Sequence, residues 1–295
     1  MRPRPRSNGC RRRTRRIRDR HERRRHRWLW GTCFPPDLTS NVTVLETIDG
    51  RPIAGTVNDV CGRFTSLTPP DVVARLFDAQ PPNPSLFDDF TPNYNVPPTT
   101  RIMAIARDGQ GDTRLGRFQW GLVPSWAKDS SGAARLINAR SETVLEKPSF
   151  RQSVPIKRCI IPMDGFYEWR TVDVEPRSPK RPVYVTRRDG QLLAVAGLWA
   201  TWKDPRLGPE APALHTCCII TTAANETMAP IHDRMPVILE PDDWSRWLAV
   251  GQGGTPIDDI VSLMVPADES IISPRDVGTA VNSVRNKDAS LIEPL

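Results

Sequence analysis

Apolar and polar positions alternate in short runs along most of the chain, and few runs keep a helical period. Residues 101–107 and 115–123 read as two strands joined by the turn Asp108-Gly109-Gln110-Gly111. Residues 182–187 and 192–199, with Asp189-Gly190 between them, read as a hairpin. Further strands are expected at 159–161, 166–170, 217–222 and 235–239. Helices are fewer. Thr68-Pro69-Pro70-Asp71 has the form of a helix start, with Thr68 as N-cap and Asp71 on the dipole, and Val72, Val73, Leu76 and Phe77 would then line one face. Others are expected at 141–152, 241–250 and 255–263, the last opened by Thr255-Pro256. Residues 80–100, rich in Pro, Asn and Asp, read as a long loop. No internal repeat interrupts the pattern. It predicts an α+β fold in one domain over 60–295: a curved, mostly antiparallel sheet or barrel with peripheral helices.

Composition changes that picture only at the N-terminus. The net charge is +7 over 295 residues, but residues 1–59 hold 15 Arg, no Lys and 6 acids, a net of +9. The remaining 26 basic and 28 acidic residues leave the body at −2. Fourteen of the arginines fall between Arg2 and Arg27, in a run nearly without apolar residues. Such a run is expected to stay solvated and disordered, a tail before the domain, and it can hold nucleic acid only non-specifically. No apolar stretch follows it as a secretory signal requires, and the longest apolar run, 192–199, is too short to cross a bilayer. Thirty prolines, about twice the usual share, favour short strands and loops.

Six cysteines show no zinc-like Cys-x-x-Cys spacing, and the body adds only His215 and His232, so no metal and no cofactor is expected. Their sparse use suits a reducing, cytoplasmic compartment.

Candidate chemistry gathers at five places. Cys61 opens Cys61-Gly62-Arg63-Phe64. Asn138-Ala139-Arg140 sets Asn and Arg on one face of an extended segment. Glu168 stands among the aromatics of Gly165-Phe166-Tyr167-Glu168-Trp169, Thr221-Thr222 closes an apolar strand, and His232 precedes Asp233-Arg234-Met235-Pro236. Each also has a structural reading. A lone Cys is more often a small buried apolar group. Glu168 can pair with an arginine or reach outward, and His232 can satisfy a backbone carbonyl. Asn138 can serve a turn, and Trp120, Trp126, Trp169 and Trp199 can be core. Taken singly, these residues leave no more than an α+β domain with a possible site.

Taken in order, the segments resemble a known family. Cys61-Gly62-Arg63-Phe64, Tyr94-Asn95-Val96-Pro97, Trp120-Gly121-Leu122-Val123-Pro124-Ser125-Trp126 and Ile137-Asn138-Ala139-Arg140-Ser141-Glu142 come first. Gly165-Phe166-Tyr167-Glu168-Trp169, Ile231-His232-Asp233-Arg234-Met235-Pro236 and Val281-Asn282-Ser283-Val284-Arg285-Asn286 follow. The run is similar to the SOS response-associated peptidase (SRAP) family of abasic-site processing proteins, over about 60–295. The resemblance implies single-stranded DNA with abasic sites as partner, a monomer, no membrane, and a location in the cytoplasm or at a bacterial nucleoid. It implies a covalent thiazolidine cross-link through an N-terminal cysteine, here Cys61, with Asn138, Glu168 and His232 as the other active-site groups. Gly62, Arg63, Asn95, Pro98, Trp126, Arg140, Trp169 and Thr221 match positions that line the DNA channel or support the site. Self-processing peptidase activity and strand-cleaving lyase activity are implied as well.

Physical chemistry agrees with that assignment. A free α-amine, with a pKa of roughly 7.7–8.0 against about 10.4 for Lys, keeps a neutral fraction near neutrality and can attack an aldehyde. A neighbouring thiol then closes a five-membered ring. An aromatic surround should raise the Glu168 pKa and suit it to proton transfer. One departure stands out: Val60 precedes Cys61, so Cys61 carries an amide and no free amine. Three arrangements reconcile this. Translation can begin at Val60 from a GUG codon, which reads as Met at a start; cleavage can remove residues 1–60; or cross-linking has been lost. The first is favoured, because residues 1–59 lack a core. The rivals are a thiol hydrolase or peptidase built on Cys61, His232 and Glu168, and a nucleic-acid module that works through its arginine tail.

Overall fold

A computed structural model of the chain describes residues 61–172, 180–251 and 253–295. The Arg-rich segment 1–59 lies outside the described residues. Twelve strands within them fall into two sheets, and the chain passes back and forth between the two.

The first sheet has five strands. β1 (Arg63–Ser66) pairs antiparallel with β2 (Asn93–Val96) on one side. Its other three strands are added when the chain returns to it twice later. The second sheet starts with β3 (Arg101–Arg107) and β4 (Thr113–Trp120), the expected hairpin, in the register Arg101↔Gln119 to Arg107↔Thr113. After the short β5 (Asn138–Arg140), β6 (Arg158–Met163) pairs with β3. Then β7 (Gly165–Thr171) and β8 (Lys180–Arg187) return to the first sheet, where β7 pairs β1 and β8. β9 (Leu193–Trp202) pairs β6, and β10 (Leu214–Ala223) pairs both β9 and, in parallel, β4. The ring β10-β4-β3-β6-β9 therefore closes on itself as a five-stranded barrel. β5 and β11 (Arg234–Pro236) flank the far end of β10, and β12 (Ile272–Asp276) edges the first sheet against β8. The architecture is α+β with few helices, as expected.

Alternation along the barrel strands separates two cores. Ile102, Ala104, Phe118, Trp120, Ile161 and Ile219 face a cluster completed by Phe64, Phe166, Val183 and Ile272 of the first sheet. The intervening Met103, Ile105, Ile160, Leu198 and Ile220 face the helices. There α1 (Pro70–Leu76), α2 (Pro241–Leu248) and α3 (Ile257–Ser262) bury Val73, Trp247 and Ile260. Arg158 is buried beneath α2 with no carboxylate beside it. Its guanidinium donates to the carbonyls of Trp247 (2.6 Å), Ala249 (2.5 Å) and Val154 (2.6 Å), which closes the helix C-terminus. Burial pulls its pKa down to about 10, so it remains a cation at neutral pH.

Several expected elements differ. The 182–199 hairpin does not exist: β8 and β9 lie in different sheets, and Asp189-Gly190 turns the chain from one to the other. Every residue of β9 from Leu193 to Ala200 is buried, so its pattern carried no partner information. Residues 141–152 form successive turns with mixed bonds, among them Glu146 to Thr143 and Lys147 to Thr143, and no regular helix. Pro148 lacks the N–H that an α-helix needs there, and Ser141 N–H is taken by Thr221 O at 2.8 Å. Thr68 does not cap α1; Pro69 holds that position, and Thr68 Oγ1 donates to Asp164 at 2.6 Å. α1 buries Val73, Ala74 and Phe77, while Val72 and Leu76 are exposed. The 80–100 loop contains β2, and the strand expected at 235–239 is the three residues of β11.

Asp164 alone separates β6 from β7 and so marks a second crossing. Its carboxylate accepts from the N–H groups of Leu67 (2.6 Å) and Thr68 (3.2 Å), fixing the exit of β1 beside it. Next to it, Gly165 faces the ring of Tyr184, whose hydroxyl meets Thr65 Oγ1 at 2.7 Å. A Cβ at residue 165 would stand 2.5 Å from that ring. Gly165→Ala should therefore destabilise the fold by roughly 1–3 kcal/mol, because both sides of the contact are closely packed. Thermal unfolding checks this, with a Tm several degrees below wild type expected and an unchanged Tm counting against it.

Candidate active site

Cys61 lies where the first described residues enter β1, and it is fully buried in the cluster between the barrel and the first sheet. Its backbone sits at φ +53°, a conformation that L residues rarely adopt and that Gly or Asn fill most easily. Pairing of Arg63 with Tyr167 and Phe64 with Phe166 runs β1 back along β7. That register brings the Cys61 N–H to Glu168, and it donates to Oε1 at 2.5 Å. Glu168 is 2% exposed. Burial raises its pKa to about 8, opposed by the N–H groups of Cys61 and Trp169 and by Lys180, while Asp233 adds to the rise. Burial and the Glu168 charge push the Cys61 thiol well above its usual range, so it stays protonated.

His232 reaches the same region from the loop between β10 and β11. The positive field of Lys180 and the negative field of Asp233 act on both Glu168 and His232. Its Nδ1 stands 3.1 Å from the N–H of Arg234 and 2.7 Å from Asp233 Oδ1. One nitrogen cannot accept from the first and donate to the second at once. Burial lowers the imidazole pKa, with Lys180 and Arg234 acting in the same direction against Asp233. The Asp233 side chain is 85% exposed and well screened by water. The lowered pKa favours a neutral ring, whose Nδ1 either accepts from Arg234 N–H or donates to Asp233, the second proton site being Nε2. Asn138, half-buried on β5, follows Ile137, a member of the Cys61 cluster whose carbonyl accepts from Trp120 Nε1 at 3.1 Å.

The other expected residues divide into two groups. Arg63, Asn95 and Trp169 converge on the C-terminal segment. The Arg63 guanidinium donates to the carbonyls of Val281 and Asn282 and lies 5.5 Å from the Trp169 ring centre. Asn95, fully buried on β2, directs its Nδ2 at the carbonyls of Val281 (3.1 Å), Ser283 (3.0 Å) and Asn286 (3.0 Å). Trp169 Nε1 donates to Asn282 Oδ1 at 2.7 Å. Thr221 is buried on β10 and accepts from Arg234. Gly62 and Pro98 are half-buried and stand at the same end of the β1–β2 ladder, beyond the Phe64–Val96 pair. Trp126 (60% exposed) and Arg140 present their side chains to water, at opposite ends of the β4–β5 connection.

Sequence reading passed over three residues here. Lys180 gave no signal, because only tertiary contact brings it near Glu168. Glu142 and Arg234 both stood inside quoted motifs, but their bidentate bond (3.1 and 2.9 Å) joins segments 92 residues apart. Among the described residues, no group of three or more His, Cys, Asp and Glu side chains is placed to hold a metal ion, and no helix is long and apolar enough to cross a membrane. What remains is a buried nitrogen and thiol on one residue, held against a proton-bearing carboxyl with a neutral imidazole nearby: equipment for moving protons about an electrophilic carbon.

Glu168 ionises near 8 in the folded chain and near its ordinary 4.5 once unfolded. The folded state holds the proton more tightly, so this contribution to stability is complete below about 4.5 and is lost as pH rises through about 8. Wild type should lose stability relative to Glu168→Gln across that window, by up to about 1.4 kcal/mol for each pH unit. Urea unfolding of both proteins near each end of the window measures it, and parallel curves would show a carboxyl that water reaches freely.

Comparison with known proteins gives a consistent picture. Residues 60–284 match the family described as SOS response associated peptidase (SRAP). The Bacillus subtilis (strain 168) protein "Abasic site processing protein YoqW" is 42% identical over 234 residues, 79% of this chain and 99% of that protein. "Abasic site processing protein HMCES" of Xenopus tropicalis is 33% identical over 228 residues, covering 68% of this chain and 65% of the relative. A crystal structure of a Bacteroides thetaiotaomicron protein superposes with a TM-score of 0.67 at 25% identity, over 80% of this chain and all of that one.

Proposed function

The chain belongs to the SOS response associated peptidase (SRAP) family, and on that premise we propose that it processes abasic sites in single-stranded DNA by covalent capture through Cys61. The reacting form begins at Cys61. In it, the nitrogen that donates to Glu168 is a free amine, which attacks C1′ of the ring-opened abasic sugar. The carbinolamine loses water to give an imine, and Cys61 Sγ adds to the imine carbon while its proton passes to the nitrogen. Amine, thiol and aldehyde thus become a thiazolidine and one water.

The observation that carries this reading is the Cys61 N–H bond to a buried Glu168. A carboxyl with a pKa near 8 carries a proton at neutral pH and can give it to the departing hydroxyl, then recover one from the nitrogen as the neutral imine forms. Neutral His232 would assist opening of the sugar ring, and Asn138 would hold the sugar oxygen. Trp126 and Arg140, both exposed, would meet bases and phosphates of the strand. Gly62, Arg63, Asn95, Pro98, Trp169 and Thr221 would shape and brace the channel, the bonds of Arg63, Asn95 and Trp169 to residues 281–286 favouring support over direct contact. The imine also permits β-elimination, so some strand cleavage is expected. The raised thiol pKa counts against a hydrolase that uses Cys61 as a free thiolate.

Residues 1–60 must be absent from the reacting form, either because translation starts at Val60 or because the peptidase activity severs the Val60–Cys61 bond. A denaturing gel tests the whole reading. A chain beginning Met-Cys61, mixed with abasic single-stranded DNA, should give a band stable to heat and SDS, and Cys61→Ala should give none. Its mass should equal protein plus oligonucleotide less one water, once the initiator Met is gone. The 295-residue chain should give the band only after loss of residues 1–60. No stable band from a folded short chain would sink the proposal. Peptides from residues 28–59 in natively expressed protein, with none beginning at Cys61, would do the same for both routes to a free amine.

A further inference from the structure

Arg234 makes more bonds than a surface ion pair requires, and it makes them to both sides of β10. Its guanidinium takes Glu142 in a two-armed grip (3.1 and 2.9 Å), and its Nη2 also donates to Thr221 O at 2.8 Å and lies 3.3 Å from Thr221 Oγ1. The same Thr221 carbonyl accepts from Ser141 N–H at 2.8 Å. The Arg234 side chain is only 13% exposed. From β11 it therefore reaches across β10 to the end of β5, the strand that carries Asn138. Its own backbone N–H donates to His232 Nδ1 at 3.1 Å. One residue thus touches the imidazole by its main chain and the Asn138 segment by its side chain.

We propose that Arg234 and Glu142 are a positioning couple that fixes the tautomer and orientation of His232 and the placement of Asn138. The inference rests on the reading of those two side chains as site groups. The fork of Arg suits a planar, bidentate grip, and Lys would hold Glu142 by a single point. Loss of Glu142 leaves the guanidinium held by Thr221 alone, loosening the segment it grips and weakening the anchor beside the N–H that faces Nδ1. It also leaves the Arg234 charge uncompensated beside the imidazole. The charged groups around His232 are Asp233, Lys180 and Arg234, so a less neutralised Arg234 disfavours the imidazolium further.

The ring nitrogens of His232 in the 15N-labelled 295-residue chain, followed against pH, test this directly. Wild type should show Nδ1 as acceptor and the proton on Nε2. Glu142→Gln, nearly isosteric and able to fold, should show mixed tautomers and a lower titration midpoint, and Glu142→Asp should restore much of the wild-type signature. With protein whose N-terminus has been read by intact mass, Glu142→Gln should slow adduct formation roughly tenfold and leave affinity for undamaged single-stranded DNA unchanged. Unaltered His232 spectra in Glu142→Gln would overturn the proposal. So would a change in DNA affinity as large as the change in rate, which would make Arg234 a phosphate contact instead. A wild type that forms no adduct overturns the functional reading alone, since the His232 spectra still decide the positioning claim.

Discussion

A carboxyl, a thiol and a main-chain nitrogen meet in a buried seam where Glu168 lies against Cys61, and that burial governs the rest of the structure. Glu168 is buried on β7 and takes its hydrogen bond from the nitrogen of Cys61. An ionised carboxylate there would cost far more than the two N–H groups return, so the proton stays. The architecture exists to keep that seam closed. Chain crossings at Asp164 and Asp189-Gly190 send β6 and β9 into the barrel while β7 and β8 pass to the first sheet. The faces of the two sheets then share one cluster that includes Cys61.

The second constraint comes from the far end of the chain. Carbonyls of Val281, Asn282, Ser283 and Asn286 accept from Arg63 and Asn95, which ties this segment to the first sheet. Arg63 is two residues from Cys61, so the C-terminal segment braces the strand that follows Cys61. The Arg63 cation is thereby committed to protein carbonyls and to the Trp169 ring. The exposed Arg140 and Trp126 stand outside this brace.

On the opposite flank, β10 plays the same part. It is the only described strand that pairs with four others, β4, β5, β9 and β11, and it carries Thr221 between the segments of Asn138 and His232. Arg234 and Glu142 close over it. Two braces, one on each side of a buried acid, hold together segments that lie far apart in sequence, 92 residues in the case of Glu142 and Arg234.

By itself the sequence determined many of the local elements and the family to which the chain belongs. The apolar runs 101–107 and 115–123 around the turn at 108–111 specify a hairpin, found as β3 and β4, whose two faces both find cores. The aromatics around Glu168 announce a raised pKa, which the buried carboxyl bears out, and the ordered motifs from Cys61 to Asn286 identify the family. Tertiary structure decided what pairs with what. The 182–199 hairpin was misread because β9 is buried on both faces, which erases the alternation that reveals a strand's partner. The 141–152 helix was misread because a bond from Ser141 to Thr221, invisible in sequence, outweighs weak local propensity interrupted by a proline. Lys180, Glu142 and Arg234 entered the site for the same reason. Electrostatic and hydrogen-bonding partners are chosen by proximity in space, and only the folded sheets bring those residues within a few ångströms of one another.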